Sequence, residues 1–423
     1  MPSPGTRPLR AAAAGAALTL VALSACKSDT TRPNNGVTAT VSFCTDNAPI
    51  WLAVQDGSSA WKQVTATSGN TYTFQLTSSR AGVAYVTQTA NNFTTLSVLY
   101  ATTSELTSSG GITLTCTATN NKTVGGSVAG LGASAVAVVS LGPSRTNVSG
   151  AAGQTTFQLQ FVPTGPHDLV AARTTSSTGQ TQVTTMIVRR GLDPAAGSTL
   201  PVLDFGSSEA FTPATANLTI SGLGNEAALT GGALVTADRS NAFYYFDAGS
   251  TAATRPYYGL PAAQLASGDL HELFVTTGTR SAILYVHSVA DRTVTLGSAL
   301  GAPTITTAAT TPYLRLRAQL PQQTEYNRVG EASYTQNMSG TFHTVTIFMT
   351  MAYAAAATSG LYDLVIPDLS GVTGFSAVWA LQPGVSTRWN AIEVGGTFLL
   401  GFQRPTDGAS IVTATQSGTI TSP

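Results

Sequence analysis

HTVTIFMTM, residues 343–351, sets Val345, Ile347, Met349 and Met351 at every second position and fills most of the places between with threonine. Period two gives a strand one buried face and one wetted face, the pattern of an antiparallel sheet. The same alternation recurs in TYTFQLTS (71–78), TTFQLQFV (155–162) and YLRLRAQL (313–320). Turn clusters punctuate these runs, among them Gln55-Asp56-Gly57, Gly142-Pro143-Ser144, Pro383-Gly384 and Thr406-Asp407-Gly408. Short strands with regular turns predict an all-β chain of about four tandem antiparallel β-sandwiches, Ig-like or transthyretin-like. The best helix candidate is brief, Pro261 to Leu265, with proline suited to a first turn.

Composition narrows the function classes. The chain has 423 residues and only 9% are charged, against ~25% in ordinary soluble domains. Thr, Ser, Gln and Asn fill the polar positions instead. Lysine occurs three times, at Lys27, Lys62 and Lys122. There is no basic patch for nucleic acid and no acidic tail.

The N-terminus carries Arg7 and Arg10, then the apolar run AAAAGAALTLVA (11–22), too short for a spanning helix, which needs roughly 20 apolar residues. Leu23-Ser24-Ala25-Cys26 follows and resembles the lipobox of bacterial lipoproteins. That resemblance implies a signal peptide over residues 1–25, cleavage before Cys26, acylation of Cys26, and a membrane anchor. The alternative is an ordinary secretory signal with a cysteine there by chance. Asp, which marks inner-membrane retention directly after the cysteine in enterobacterial lipoproteins, is absent, so the analogy points to the outer membrane. Residues 26–36 then form the lipidated cysteine and a polar tether, which spans about 17–19 Å r.m.s.. Removing 25 residues leaves 423 − 25 = 398, and removing Arg7 and Arg10 leaves 20 − 2 = 18 basic against 20 acidic residues, a net of −2.

Cys44 and Cys116 remain, and an exported compartment permits their pairing. Cys116 shares a face with Ile112 and Leu114. Cys44 falls on the opposite parity from Val37, Ala39, Val41 and Phe43, which places it at a strand end or after a bulge. The expected divisions are sandwiches over 37–120, 121–205, 206–309 and 310–423. In the second, Gly126-Ser-Val-Ala-Gly130 and Pro163-Thr-Gly-Pro-His-Asp-Leu169 resemble the carboxypeptidase regulatory-like family of transthyretin-like sandwiches, with His167 where the family has Tyr. The resemblance implies a non-catalytic module. IWLAVQDGSSAWKQV (50–64), VAVVSLGPSRTNV (136–148), ALVTADRSNAFYYF (233–246) and AVWALQPGVSTRWNAI (377–392) echo one another, as related sandwiches would or as hairpins do generically.

No catalytic signature emerges. G-x-S-x-G and Walker A stretches are absent. Val275 stands where H-E-x-x-H needs its second histidine after His271-Glu272. His167, His271, His287 and His343 lie far apart, and Asp291, Asp363, Asp368 and Asp407 read as turn carboxylates, so neither metal nor cofactor is expected. The most distinctive cluster is Phe243-Tyr-Tyr-Phe246 followed by Tyr257-Tyr258. Consecutive aromatics in a strand point to both faces, and exposed tyrosines suit sugar rings or protein partners; the bland alternative is a packed strand. Tyr244, Tyr245, Tyr257 and Tyr258 are the candidate ligand contacts, and Trp379 and Trp389 raise the same question with core packing favoured. The function expected is a lipid-anchored envelope protein with a non-catalytic binding or structural role, contacting polysaccharide or another envelope protein. A cell-surface hydrolase with a dispersed site is the alternative.

Overall fold

The computed structural model describes residues 36–44, 48–89, 93–107, 112–113, 121–150, 153–177, 180–236, 241–338, 340–357, 360–398 and 405–422. Cys26 and Cys116 lie outside them. The chain is all-β.

Sandwich 1 comprises β1 (Val37–Ser42), β2 (Trp51–Asp56), β3 (Lys62–Gln63), β4 (Thr71–Leu76), β5 (Arg80–Gln88), β6 (Phe93–Thr102) and, after α1 (Thr103–Thr107), β7 (Ile112–Thr113). Sandwich 2 comprises β8 (Asn121–Ala129), β9 (Ala135–Leu141), β10 (Ser144–Ser149), β11 (Thr155–Pro163), β12 (His167–Ser177), β13 (Gln180–Leu192) and β14 (Leu203–Asp204). Sandwich 3 comprises β15 (Ala214–Ser221), β16 (Ala228–Val235), β17 (Asn241–Ser250), β18 (Thr254–Gly259), β19 (Leu270–Thr276), β20 (Arg280–Val286) and β21 (Arg292–Thr295). Sandwich 4 comprises β22 (Thr304–Ala309), β23 (Arg315–Pro321), β24 (Val329–Met338), β25 (Thr341–Thr350), α2 (Met351–Ala357), β26 (Leu361–Val365), β27 (Ser386–Gly396) and β28 (Ser410–Thr421). The expected helix near Pro261 is a single 3-10 turn, Ala262–Gln264.

The first three sandwiches share one topology. In each, the first strand pairs antiparallel with the fourth and parallel with the last. The remaining strands form a second sheet in the order third, second, fifth, sixth. Sandwich 4 differs, with β22-β23-β26 facing β25-β24-β27-β28.

The second sheets of sandwiches 1 and 3 do not end as free edges. β6 pairs parallel with β25, and β20 pairs antiparallel with β28. The result is one sheet of 12 strands, ordered β17-β16-β19-β20-β28-β27-β24-β25-β6-β5-β2-β3. Unpaired strand edges invite aggregation, and these joins remove four of them.

Side chains lock the joins. On one face of the sheet, Trp51 is buried against Phe375 and Trp379, with ring centroids 5.1 and 6.4 Å away, and its Nε1 donates to the Thr373 carbonyl at 3.0 Å. Gln336, fully buried, donates from Nε2 to Gln382 O (2.8 Å) and Thr387 Oγ1 (2.9 Å) and accepts from Gln382 N–H at 2.8 Å, pinning the same loop. Sandwich 2 is tied to sandwich 3 by Arg190, which reaches Asp168 at 2.8 Å and the buried Asp269 at 2.7 Å.

Trp51→Ala removes the centre of the seam between sandwiches 1 and 4. The expected cost is about 3–5 kcal/mol, read as a lowered urea midpoint by circular dichroism. A change below about 1 kcal/mol would contradict the packing described.

Candidate functional site: an open, hydroxyl-lined sheet face

The tyrosines singled out from sequence are not a surface. Tyr244, Tyr245, Tyr257 and Tyr258 are all buried, none more than 7% exposed. The pairing of β16 with β17 shifts register between Gly232 and Ala233, opposite Tyr244. That bulge breaks the alternation that would send one of two consecutive tyrosines to solvent. Sandwich 2 supplies Val170, Ala172, Val183 and Met186 to the same core. Tyr244 donates its hydroxyl to the Tyr258 carbonyl at 2.7 Å, and Tyr257 donates to Ala290 O at 2.5 Å while accepting from Ala290 N–H at 2.9 Å. Burial pushes all four phenols upward. They are structural, and the expectation that they contact a ligand is corrected. Trp379 and Trp389 pack against the main core.

The other sequence candidates are also engaged structurally. His271 is fully buried; its Nε2 accepts from Leu260 N–H at 2.8 Å and its Nδ1 lies 3.3 Å from Val286 O. Burial lowers its pKa to about 4, so it stays neutral. Asp291 accepts from Asn217 N–H, Asp363 pairs with Arg317 at 2.6 Å, Asp368 accepts from Ser370, and Asp407 accepts from His287 N–H. Among the described residues no group of three His, Cys, Asp or Glu could hold a metal.

A different region presents itself. Sandwich 4 covers one face of its four-stranded sheet with β22-β23-β26, leaving the opposite face uncovered by its own strands. Register sorts that open face into rows across β6, β25, β24, β27 and β28. The first row is Phe93, Phe342 and Asn337. The second is Thr95, Thr344, Thr335, Arg388 and Thr419. The third is Ser97, Thr346, Ser333, Asn390 and Ser417. The fourth sets Glu331 between Phe348 and Ile392. Successive rows are two residues apart, about 6.7 Å.

Each row has its own chemistry. Phe93 and Phe342 stack with centroids 4.7 Å apart and planes 8° from parallel, and Phe93 is 43% exposed. In the second row, Thr335 and Thr344 share a hydrogen bond of 3.1 Å. Apart from Ser97, buried at the sandwich 1 end, the second and third rows are half-buried or exposed and uniformly polar. At the fourth row the face is walled. Phe348 and Val329 enter the core of sandwich 1, while Val394 packs beside Phe398 and Ile411 on the other side. Glu331 stands between these apolar clusters, and burial raises its carboxyl to about 7.

A second raised carboxyl lies close by in sequence register but on the other side of the sheet. Glu393 pairs with Gly330, one residue from Glu331, and so faces the interior core. It is fully buried, neither carboxyl oxygen has a well-formed hydrogen bond, and burial raises it to about 8. Glu331 and Glu393 therefore open onto opposite faces and cannot act as a pair on one bond.

Sequence reasoning missed Phe93, Phe342 and Glu331. The available signal was parity: in TFHTVTIF (341–348) and FTTLSVLY (93–100), each phenylalanine at the near end occupies the threonine side of its strand.

No family model matches this chain, and no curated protein matches it. Among solved structures, it is similar to a tetra-tandem repeat in the extending region of a large adhesion protein, at 11% identity and TM-score 0.15, covering 92% of this chain and 100% of that one. The Bacillus anthracis TIE protein is similar at 9% identity and TM-score 0.15, covering 89% of this chain and 74% of that one. Likeness at this level carries no argument about function.

Glu393 gives stability a pH dependence of fixed sign. Its unfolded pKa is near 4.5 and its folded one about 8. The folded state keeps a proton that the unfolded state has lost, so stability falls as pH rises through that window. Glu331 adds to the same slope. Glu393→Gln is expected to flatten the decline in urea midpoint between pH 5 and pH 8; an unchanged slope would contradict the burial assigned to this carboxyl.

Proposed function

We propose that this chain is a lipid-anchored envelope protein with a non-catalytic binding role, and that it holds an extended polysaccharide on the open face of sandwich 4. The observation that carries this reading is the Phe93–Phe342 pair continuing into two rows of hydroxyl and amide side chains. A ring platform beside ordered hydroxyls supplies the apolar contact and the hydrogen bonds that sugar rings take. The sheet beneath is paired on both sides, so the face is pre-formed and little ordering is lost on binding.

Anchoring through Cys26 follows from the lipobox resemblance, and the outer membrane from the absence of Asp after it. Two acyl chains or more give stable attachment. The Cys44–Cys116 bond is proposed with it. Cys44 is buried just beyond β1 and is engaged rather than free. β1 runs parallel to β7 with Ser42 beside Thr113, residues two and three positions before Cys44 and Cys116 in the sequence.

Mass spectrometry of protein extracted from membranes is expected to find acyl mass on Cys26 and a Cys44–Cys116 crosslinked peptide without reductant. An unacylated Cys26 or free thiols at Cys44 and Cys116 would remove those parts. For the face itself, a soluble fragment from Lys27 to Pro423 should be retained on insoluble envelope polysaccharides. Retention should fall at least about tenfold in Phe93→Ala/Phe342→Ala, given the value of exposed aromatic contacts. Undiminished retention in a folded double variant would move the site elsewhere.

A further inference from the structure

We infer that the polysaccharide held on this face carries free amines, and that Glu331 receives one of them as an ammonium group. The inference rests on the polysaccharide reading above and specifies its chemistry.

Glu331 is the one acidic residue within the four rows, six residues along β25 register from the Phe342 end, about 20 Å. Its carboxyl makes no hydrogen bond or ion pair among the described residues, although Phe348 and Ile392 flank it in its row. A carboxyl between apolar walls attracts a cation more strongly than one in open water. Its position near pKa 7 fits a group still waiting for a counter-charge.

Among the described residues no cation pairs with it. Lys62 lies on β3, at the far edge of the 12-stranded sheet, and Lys122 is paired with Asp193 at 2.7 Å. Arg388 sits on the open face but two rows away, opposite Thr335. Glu105 of α1 adds negative charge at this end, accepting from Thr102 N–H and from Thr350 Oγ1, each at 2.8 Å, while Arg328, three residues before Glu331, spends its guanidinium on the Gly396 and Thr397 carbonyls, each at 3.0 Å. Thr350 is two residues beyond Phe348 on the same face. The carboxyls thus gather at the walled end, while the hydroxyl rows carry a single charged side chain, Arg388, at their β27 side. An amino-sugar polymer meets both, placing neutral rings over the phenylalanines and hydroxyls and an ammonium at the wall.

The test compares retention on two insoluble probes of one backbone, a β-1,4-glucosamine polymer and its fully N-acetylated form. The wild-type fragment, Glu331→Gln and Phe93→Ala/Phe342→Ala are run in parallel, with thermal melts to confirm folding. The wild type is expected to prefer the amine polymer by about tenfold, the worth of one charge-assisted hydrogen bond. Glu331→Gln should lose that preference and bind both polymers equally. A preference that survives in Glu331→Gln overturns the inference, since the amine is then recognised elsewhere. Equal wild-type binding to both polymers, abolished in the phenylalanine variant, also overturns it while leaving the polysaccharide reading standing. Failure of the wild type to bind either polymer overturns it as well.

Discussion

Two edge-to-edge joins hold this molecule's architecture: β6 against β25 and β28 against β20. A four-stranded sheet with exposed edges is a template for unwanted pairing. Sandwiches 1 and 3 each give up one edge to sandwich 4, and sandwich 4 gives up both of its own. What covers each face of the long sheet then follows. The β4-β1-β7 sheet covers one side, while the sheets β22-β23-β26 and β18-β15-β21 cover the other. Between the first cover and the small Tyr285–Phe398–Ile411 cluster, the outward face of sandwich 4 is left open.

That open strip is where surface chemistry concentrates. Sheet pairing fixes the rows, and rows fix which side chains meet. Thr335 can bond Thr344, and Phe93 can stack on Phe342, because parallel and antiparallel pairing bring β6, β25 and β24 into one register. The same register separates Glu331 from Glu393. One residue of parity puts one carboxyl at the walled end of a binding face and the other in a sealed core, where protonation keeps it tolerable.

Much of the fold was legible because strand alternation is local. Val345, Ile347 and Met349 face the core as their spacing predicts, and Thr344 and Thr346 take the opposite face, while Phe348 on that face enters the core of sandwich 1. Three of the four echoing stretches, 50–64, 136–148 and 233–246, span the second and third strands of sandwiches with one topology, whereas 377–392 runs from a 3-10 turn, Ala377–Trp379, into β27. The site was not legible, for two physical reasons. Burial of Tyr244 and Tyr245 depends on a bulge and on a neighbouring sandwich, neither of which leaves a mark in the tyrosines' own sequence. The open face depends on β6 meeting β25, strands some 250 residues apart, and no periodicity within either strand encodes that partnership. Nothing in the strand of Phe93 marks the ring it stacks on, Phe342.

Amide hydrogen exchange on the full chain tests the continuous sheet most directly. If the joins are as described, amides of β6, β25, β20 and β28 that bond across them are protected to a degree comparable with central β24 and β27, because opening them requires sub-global unfolding. Fast exchange along β25 and β28, as at free edges, with slow exchange confined to the interior of each sandwich, would contradict it. The open face would then no longer be a single pre-formed surface.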